Sequence, residues 1–229
     1  PEDSIWFTGI DGEAWRCIYA AMNGTRVIVD YAVFDYARGW WSDQAVITYP
    51  WECEIRHSTF KRILRAINIL RRGYIFEDCL VEGATFAGIE GRGVNDDFIT
   101  IRRCVFRNSL SGTINISTGL IQNCIFDSVG IAIRGREGVE IYNNIIMRCS
   151  IGIRRNAAEV AYNIFWNNRG DIHREVEIEN IGVLDRVNLN GDSTDVFGNL
   201  FMDPELALEG DYPDFYFPSE DSPVIDAGN

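Results

Sequence analysis

The chain has 229 residues, of which 46% are hydrophobic and 12% aromatic, so it is long enough to bury a substantial core in one domain. Thirty-four acidic residues against 21 basic residues give a net charge of −13 at pH 7, which argues against nucleic acid and anionic membranes as partners. No stretch approaches the roughly 20 continuous apolar residues that span a bilayer, so we predict no transmembrane segment.

The first predicted element is a helix near the start of the chain. Asp11 is suited to cap a helix that extends from Gly12 to Met22, and Gly24 is suited to end it in the left-handed conformation. Four apolar residues share one face of this helix: Trp15, Ile18, Ala21 and Met22. We therefore predict a helix within residues 11–24 that packs its apolar face against the core.

A six-residue phrase then recurs along the chain. It places an apolar residue first, two polar or aromatic residues next, a small or polar residue fourth and two apolar residues last. The phrase starts at Val29, Ile55, Phe76, Ile101, Ile121, Ile141, Val160 and Val196. From Ile55 to Val160 successive starts are 19 to 25 residues apart, a period typical of solenoids, so we predict about eight coils.

Residues at the same phrase position are alike from one coil to the next. The fourth position holds Ala32, Ser58, Cys79, Cys104, Cys124, Asn144, Asn163 and Asn199, and the sixth holds Phe34, Phe60, Val81, Phe106, Phe126, Ile146, Phe165 and Phe201. Parallel strands about 4.8 Å apart select such columns, because each side chain meets its counterparts on the neighbouring coils. A second strand follows the phrase, as at residues 130–133 and 150–153. The pattern predicts an all-β parallel solenoid.

The two ends of the chain carry a family resemblance. Residues 13–22 and 24–29 resemble the capping helix and first strand of pectate-lyase-like β-helix proteins, and residues 199–204, 214–217 and 222–228 resemble the ending of bacterial secreted right-handed β-helix repeat proteins.

This resemblance implies a single right-handed parallel β-helix domain over residues 1–229, with the 11–24 helix as its N-terminal cap and 203–229 as a C-terminal cap or tail. It also implies a prokaryotic protein that is secreted or on the cell surface. The family includes polysaccharide lyases, polygalacturonases, tailspikes and surface proteins with no known reaction, so the fold does not predict an activity.

Six cysteines invite a disulfide interpretation in a secreted protein. Cys79, Cys104 and Cys124 share one inward column, where their Cβ vectors run parallel, so we expect free thiols there and no metal site. A disulfide between Cys17 and Cys53 stays open as an alternative to free thiols.

Three insertions break the repeat, at about residues 36–53, 88–98 and 168–195. The first carries Trp40, Trp41 and Trp51, which are suited to stacking on sugar rings or on a partner protein, or to sealing the early coils. The second is rich in glycine and acidic residues, a composition that suits a solvated turn, calcium or acid-base chemistry.

The third insertion is rich in side-chain oxygens. Its calcium candidates are Asp185, Asn188, Asn190, Asp192 and Asp195. The order of these residues departs from the strict pattern of calcium loops, and the terminal bidentate glutamate is missing. Calcium is therefore a secondary expectation, and no other cofactor is predicted.

Three basic side chains recur at one register position. Arg134, Arg154 and His173 each stand 13 residues after a phrase start, so we expect them to stack on one outward edge. Stacked arginines can grip the carboxylates of an acidic polysaccharide, or they can bridge neighbouring acids such as Glu137 and Glu159.

The sequence does not assemble a catalytic set; His57 beside Asp78 is too common a pairing to indicate one. We therefore predict a non-catalytic structural or adhesive protein that self-assembles into a homo-oligomer or filament. A lyase acting on acidic polysaccharide through Arg134, Arg154 and His173 is the first alternative. A glycan-binding module that uses the three tryptophans is the second.

Overall fold

A computed structural model describes most of the chain. The described residues are 4–9, 14, 17–19, 25–37, 45–48, 52–69, 73–91, 98–155, 157–173, 177–207, 216–219 and 222–224. Among them, no helix is long and apolar enough to cross a membrane. Their regular elements are β-strands, nearly all of which belong to three long sheets.

The strands of the three sheets alternate along the chain. Sheet 1 contains β3 (Arg26–Asp30), β6 (Glu52–Arg56), β9 (Tyr74–Glu77), β12 (Ile99–Arg102), β15 (Thr118–Gln122), β18 (Gly138–Tyr142) and β21 (Glu159–Ala161). Sheet 2 contains β1 (Ile5–Thr8), β4 (Ala32–Asp35), β7 (Thr59–Lys61), β10 (Leu80–Glu82), β13 (Val105–Arg107), β16 (Ile125–Asp127), β19 (Ile145–Met147) and β22 (Ile164–Trp166). Sheet 3 contains β2 (Ile18–Tyr19), β5 (Ala45–Thr48), β8 (Arg65–Ile69), β11 (Ala87–Gly91), β14 (Gly112–Asn115), β17 (Ile131–Arg134) and β20 (Ile151–Arg154).

Each coil passes through sheets 1, 2 and 3 in turn, and every neighbouring pair within these sheets is parallel, as in β15 with β18. The predicted parallel solenoid is confirmed. Seven of the predicted phrase starts lie in the strands of sheet 1, and the eighth, Val196, precedes an incomplete coil in which Leu200 bridges to Ile164. The remaining strands, β23 (Arg186–Val187) and β24 (Ser193–Thr194), form a small antiparallel pair.

The sixth phrase position forms the centre of the core. Phe106 pairs in register with Phe126, and both are fully buried. Their rings stack with centroids 5.1 Å apart and planes 4° apart. At the C-terminal end Phe165 stacks on Phe201 at 5.2 Å, so the predicted column continues into the incomplete coil.

The fourth position forms a hydrogen-bonded column, here called the asparagine ladder in its C-terminal part (Asn144, Asn163 and Asn199). The backbone N–H of Asn144 donates to Asn163 Oδ1 at 3.0 Å, and that of Asn163 donates to Asn199 Oδ1 at 2.9 Å. All three side chains are buried. Each amide therefore joins its own coil to the preceding one.

The bend between sheets 1 and 2 depends on a left-handed residue at the third phrase position. The bend residues are Tyr31, His57, Asp78, Arg103, Asn123, Asn143 and Tyr162, with φ between 45° and 56°. This conformation is unfavourable for most side chains. It turns the chain sharply enough to point the first and fourth residues into the same core, as with Ile55 and Ser58, which a straight strand with a period of two cannot do.

The predicted N-terminal helix is wrong at two positions. Ile18 and Tyr19 form β2, which pairs in parallel with β5. Strand pairing across coils has overridden the local helical pattern there. Of the rest of the predicted 11–24 cap, only residues 14 and 17 are described, and neither lies in a helix.

The predicted insertions are shorter than expected where the structure describes them. Residues 45–48 of the first are β5, and residues 88–91 of the second belong to β11. Cys17 and Cys53 are both free, as are the other four cysteines, so the disulfide alternative is not realised.

Candidate functional site

The outward face of sheet 3 carries a continuous polar row. The sheet 3 row consists of Asn68, Glu90, Asn115, Arg134, Arg154 and His173. The first five lie in register on successive strands, and His173 follows because its N–H donates to Ile153 O at 2.8 Å. The structure thus brings together the three basic residues that the sequence placed on one edge.

A nearly buried ion pair lies at the other end of this row. Arg65 Nη2 is 2.5 Å from Glu90 Oε2, and the two side chains are 10% and 7% exposed. A cavity of about 160 Å³ opens beside this pair, and Asn115 and Arg134 also line it. Because Glu90 is neutralised by Arg65, the cavity can offer hydrogen bonds without a strongly negative field.

The row is suited to binding a repeated anion. Its side chains recur at the coil spacing of about 4.8 Å, so equivalent groups face a linear ligand at regular intervals. A guanidinium can donate two parallel hydrogen bonds to one carboxylate. Arg134 and Arg154 are therefore able to hold successive carboxylates of a polymer, with His173 extending the row.

The other predicted glycan residues, Trp40, Trp41 and Trp51, lie outside the described residues, as do residues 92–97 of the second insertion. Glu159, one of the acids expected near the arginines, accepts a hydrogen bond from the Tyr142 hydroxyl at 2.6 Å.

The calcium candidates do not all converge. Asn188 and Asp192 bond to each other within one turn, where Asp192 N donates to Asn188 Oδ1 at 2.8 Å. Asp195 instead ends the asparagine ladder, since its carboxylate accepts from Gly182 N at 2.9 Å and from the Asn199 backbone N–H at 2.9 Å. Asp185 and Asn190 lie in the same insertion. Over the described part of the chain, no three acidic, histidine or cysteine side chains are arranged to hold a metal.

Sequence reasoning missed an alternation of charge on the outer face of sheet 1. The sheet 1 ionic ladder consists of Asp30, Arg56, Glu77 and Arg102, in register on successive strands. Arg56 Nε donates to Glu77 Oε2 at 3.2 Å, and Arg102 donates to the other oxygen. Reading the second phrase position for charge would have found it.

A second alternation lies on sheet 2, just after the sixth phrase position. Asp35, Lys61, Glu82, Arg107 and Asp127 pair in register. Arg107 Nε lies 2.8 Å from a Glu82 oxygen, and Asp127 accepts from Arg148. These two ladders use many of the charges of the outer surface to hold coils together.

His57 belongs to this structural system. Its Nδ1 lies 2.8 Å from Asp30 Oδ1, its Nε2 lies 3.7 Å from Asp78 Oδ2, and its ring stacks on Tyr31. Asp78 in turn accepts two hydrogen bonds from Arg103. The expected neighbourhood of His57 and Asp78 is present, as one part of a network that joins coils.

Acid is expected to reduce the stability that Glu77 contributes through the sheet 1 ionic ladder. Burial alone would raise its pKa, but hydrogen bonds and charge from Arg102 and Arg103 hold the pKa below its usual value. Its stabilising contribution is therefore complete above the unfolded pKa of about 4.3 and is lost as pH falls through the folded pKa. We expect Glu77→Gln to cost about 1–3 kcal/mol at pH 7 and progressively less below pH 4, measured by urea unfolding.

Glu179→Gln, at an exposed position outside the ladder, is the control and should change stability by less than about 0.5 kcal/mol. A wild-type advantage over Glu77→Gln that does not diminish with acid would contradict the role given to this carboxylate.

The cysteine column is confirmed as a set of buried free thiols. Cys79, Cys104 and Cys124 are each no more than 1% exposed. Burial raises the pKa of the Cys104 thiol, and it raises the pKa of Cys53 and of Cys149 to about 12. The thiols of Cys53, Cys104 and Cys149 are therefore protonated at neutral pH and unsuited to nucleophilic chemistry.

Comparison with known proteins gave one match. The family model of the right-handed β-helix region matches residues 44–182, more than half of the chain. The comparison with curated proteins and the comparison with solved structures each gave none.

Proposed function

The chain belongs to the right-handed β-helix family, and from the sheet 3 row we propose that it is a non-catalytic adhesive module, secreted or displayed on a cell surface, that binds an acidic polysaccharide. The ligand lies along the sheet 3 row, with its carboxylates on Arg134 and Arg154.

One observation carries this proposal. In a chain of net charge −13, two arginines stand in direct register on neighbouring strands, and His173 follows them on the next coil. A cationic row in an acidic protein favours a polyanion at that row and disfavours anions elsewhere. Asn115 and the adjoining cavity supply neutral hydrogen-bonding groups for sugar hydroxyls.

The carboxylate content of the sheet 3 row also favours a binding role over a catalytic one. Glu90 is its only carboxylate within the described residues, and this group is 6% exposed and held by Arg65. A lyase requires a base that can reach the sugar, and a glycosidase requires two carboxyls about 5–10 Å apart. A lyase stays the second candidate because guanidinium and carboxylate groups meet in one cavity.

Calorimetric titration with polygalacturonate and alginate oligosaccharides tests the proposal. We expect binding that weakens with salt, a loss of about tenfold for Arg154→Gln, and a larger loss when Arg134→Gln is added. Arg186→Gln removes the same charge from exposed β23 and should leave the affinity unchanged.

Ultraviolet absorbance is followed in the same samples. Unsaturated products that vanish in Arg154→Gln would replace the binding role with lyase activity. The absence of binding to either polymer, or equal losses for Arg154→Gln and Arg186→Gln, would overturn the assignment to the sheet 3 row.

A further inference from the structure

A second recess lies on a different face of the solenoid. It has a volume of about 590 Å³ and lies between the bend that joins sheets 1 and 2 and the C-terminal segment. Ile125, Ile145 and Ile164, at the fifth phrase position of successive coils, form its apolar base. Here it is called the bend cleft.

The C-terminal wall of the bend cleft is anchored to the solenoid. Tyr216 lines the cleft, and its hydroxyl donates to Asp127 Oδ2 at 2.9 Å. Ala207 N donates to Phe217 O at 2.8 Å, and Leu206 bridges to Pro218, so the two parts of this wall are joined to each other. The cleft is therefore a built feature with two fixed sides.

The opposite wall is formed by amides. Gln122 and Asn123 lie on one coil and Asn143 lies at the equivalent bend on the next, about 4.8 Å away. No described residue that lines the cleft carries a charge, although the chain as a whole is strongly acidic. An ionic ligand would find no counter-charge there, so the lining selects an uncharged one.

One polar atom in this wall lacks a partner. Asn143 Oδ1 is buried and makes no hydrogen bond within the described part of the chain. A buried acceptor left unsatisfied costs about 1–3 kcal/mol, which a ligand hydroxyl recovers when the Asn143 amide turns toward the cleft. Tyr162, 37% exposed, adds an aromatic surface beside the amides.

We propose that the bend cleft binds a neutral oligosaccharide. Its hydroxyl groups bond to the amides of Asn123 and Asn143, and the apolar faces of its rings pack on the isoleucine base and on Tyr162. The recurrence of amides at the coil spacing suits a polymer with a regular repeat. This site is independent of the sheet 3 row, which has arginines and would take a charged chain.

Titration with neutral β-1,4-linked hexasaccharides of glucose, xylose, mannose and N-acetylglucosamine tests this proposal. Binding is followed by calorimetry and by the side-chain amide NMR signals of asparagine. We expect saturable binding of at least one hexasaccharide, with little salt dependence and a shift of the Asn143 amide signals. Asn143→Gly, which removes the side-chain amide and is compatible with the left-handed conformation, should weaken binding at least tenfold.

Asn108→Gly is the matched control, because Asn108 is an exposed asparagine with φ 54° at the other bend of its coil. It should bind like the wild type, as should Arg154→Gln, which separates this site from the sheet 3 row. Failure of all four hexasaccharides to bind at millimolar concentration would overturn the proposal. So would binding that Asn143→Gly and Asn108→Gly reduce equally.

Discussion

Replacing Asn163 with leucine is expected to lower the free energy of unfolding by about 3–5 kcal/mol, because several buried groups lose their partners at once. Asn163 Nδ2 donates to Ile141 O and Ala161 O, each at 2.9 Å. Its Oδ1 accepts from both the backbone and the side-chain N–H of Asn144. Leucine has a similar volume and fills the space without satisfying any of these groups.

Urea unfolding measures the effect, and Cys124→Ala provides a comparison in the same column. Cys124 Sγ makes weaker contacts, the nearest with Gln122 O at 3.3 Å, so its removal should cost about 1–2 kcal/mol, mostly through the small cavity it leaves. If the free energy of unfolding of Asn163→Leu lies within 1 kcal/mol of the wild-type value, the asparagine ladder does not stabilise the fold as proposed.

Replacing Gly119 with alanine is expected to be at least as damaging. Gly119 lies in β15 with φ 149°, a conformation that L side chains rarely adopt. A Cβ at this position would lie 2.1 Å from Ile99 O, which belongs to the backbone of the neighbouring strand and cannot rotate away. We expect a loss of more than about 4 kcal/mol, or failure to fold.

Gly112→Ala is the matched control, since Gly112 also lies in a strand but its added Cβ would come no closer than 3.9 Å to Ile131 Cβ. Thermal unfolding and soluble yield compare the two variants. Nearly equal midpoints for Gly119→Ala and Gly112→Ala would show that the coils can separate locally at little cost.

The repeated phrase predicted most of the fold because side chains at the same phrase position contact one another on neighbouring coils. The pairs Phe106 with Phe126 and Asn144 with Asn163 are visible as columns once the period is known. The asparagines of the ladder are buried and make directional hydrogen bonds, so asparagine recurs at the fourth phrase position. Arg134 and Arg154 lie in register on neighbouring strands for the same reason.

The left-handed bends could not be predicted so directly. Tyr31, Arg103 and Tyr162 all adopt positive φ, although side chains of these types carry little or no sequence preference for it. The conformation is imposed by the need to bury the first and fourth positions together, on either side of the bend. Similarly, β2 depends on pairing with β5, a contact between residues far apart in the chain, which a local helical pattern does not report.

The candidate sites were predicted in part. The arginine row follows from register alone, but the Arg65–Glu90 pair beside it required knowledge of which strand faces which. The bend cleft depends on a C-terminal segment that departs from the repeat, so no periodicity places Tyr216 against Asp127. The sequence was therefore informative wherever a residue repeats, and silent where a unique segment crosses the coils.

The column at the fourth phrase position changes from small residues and thiols to asparagines along the chain. This change affects the order in which the coils unfold. In a solenoid, stability resembles a one-dimensional sum of nearest-neighbour terms. The terms joining Asn144, Asn163 and Asn199 include side-chain amide hydrogen bonds and end on the Asp195 carboxylate. At the N-terminal end of the column the Ala32 backbone N–H donates to Ser58 Oγ, and Ala32 has no polar side chain to add a further bond. The C-terminal coils are therefore expected to unfold last, after fraying that begins at the N-terminal coils and advances toward them.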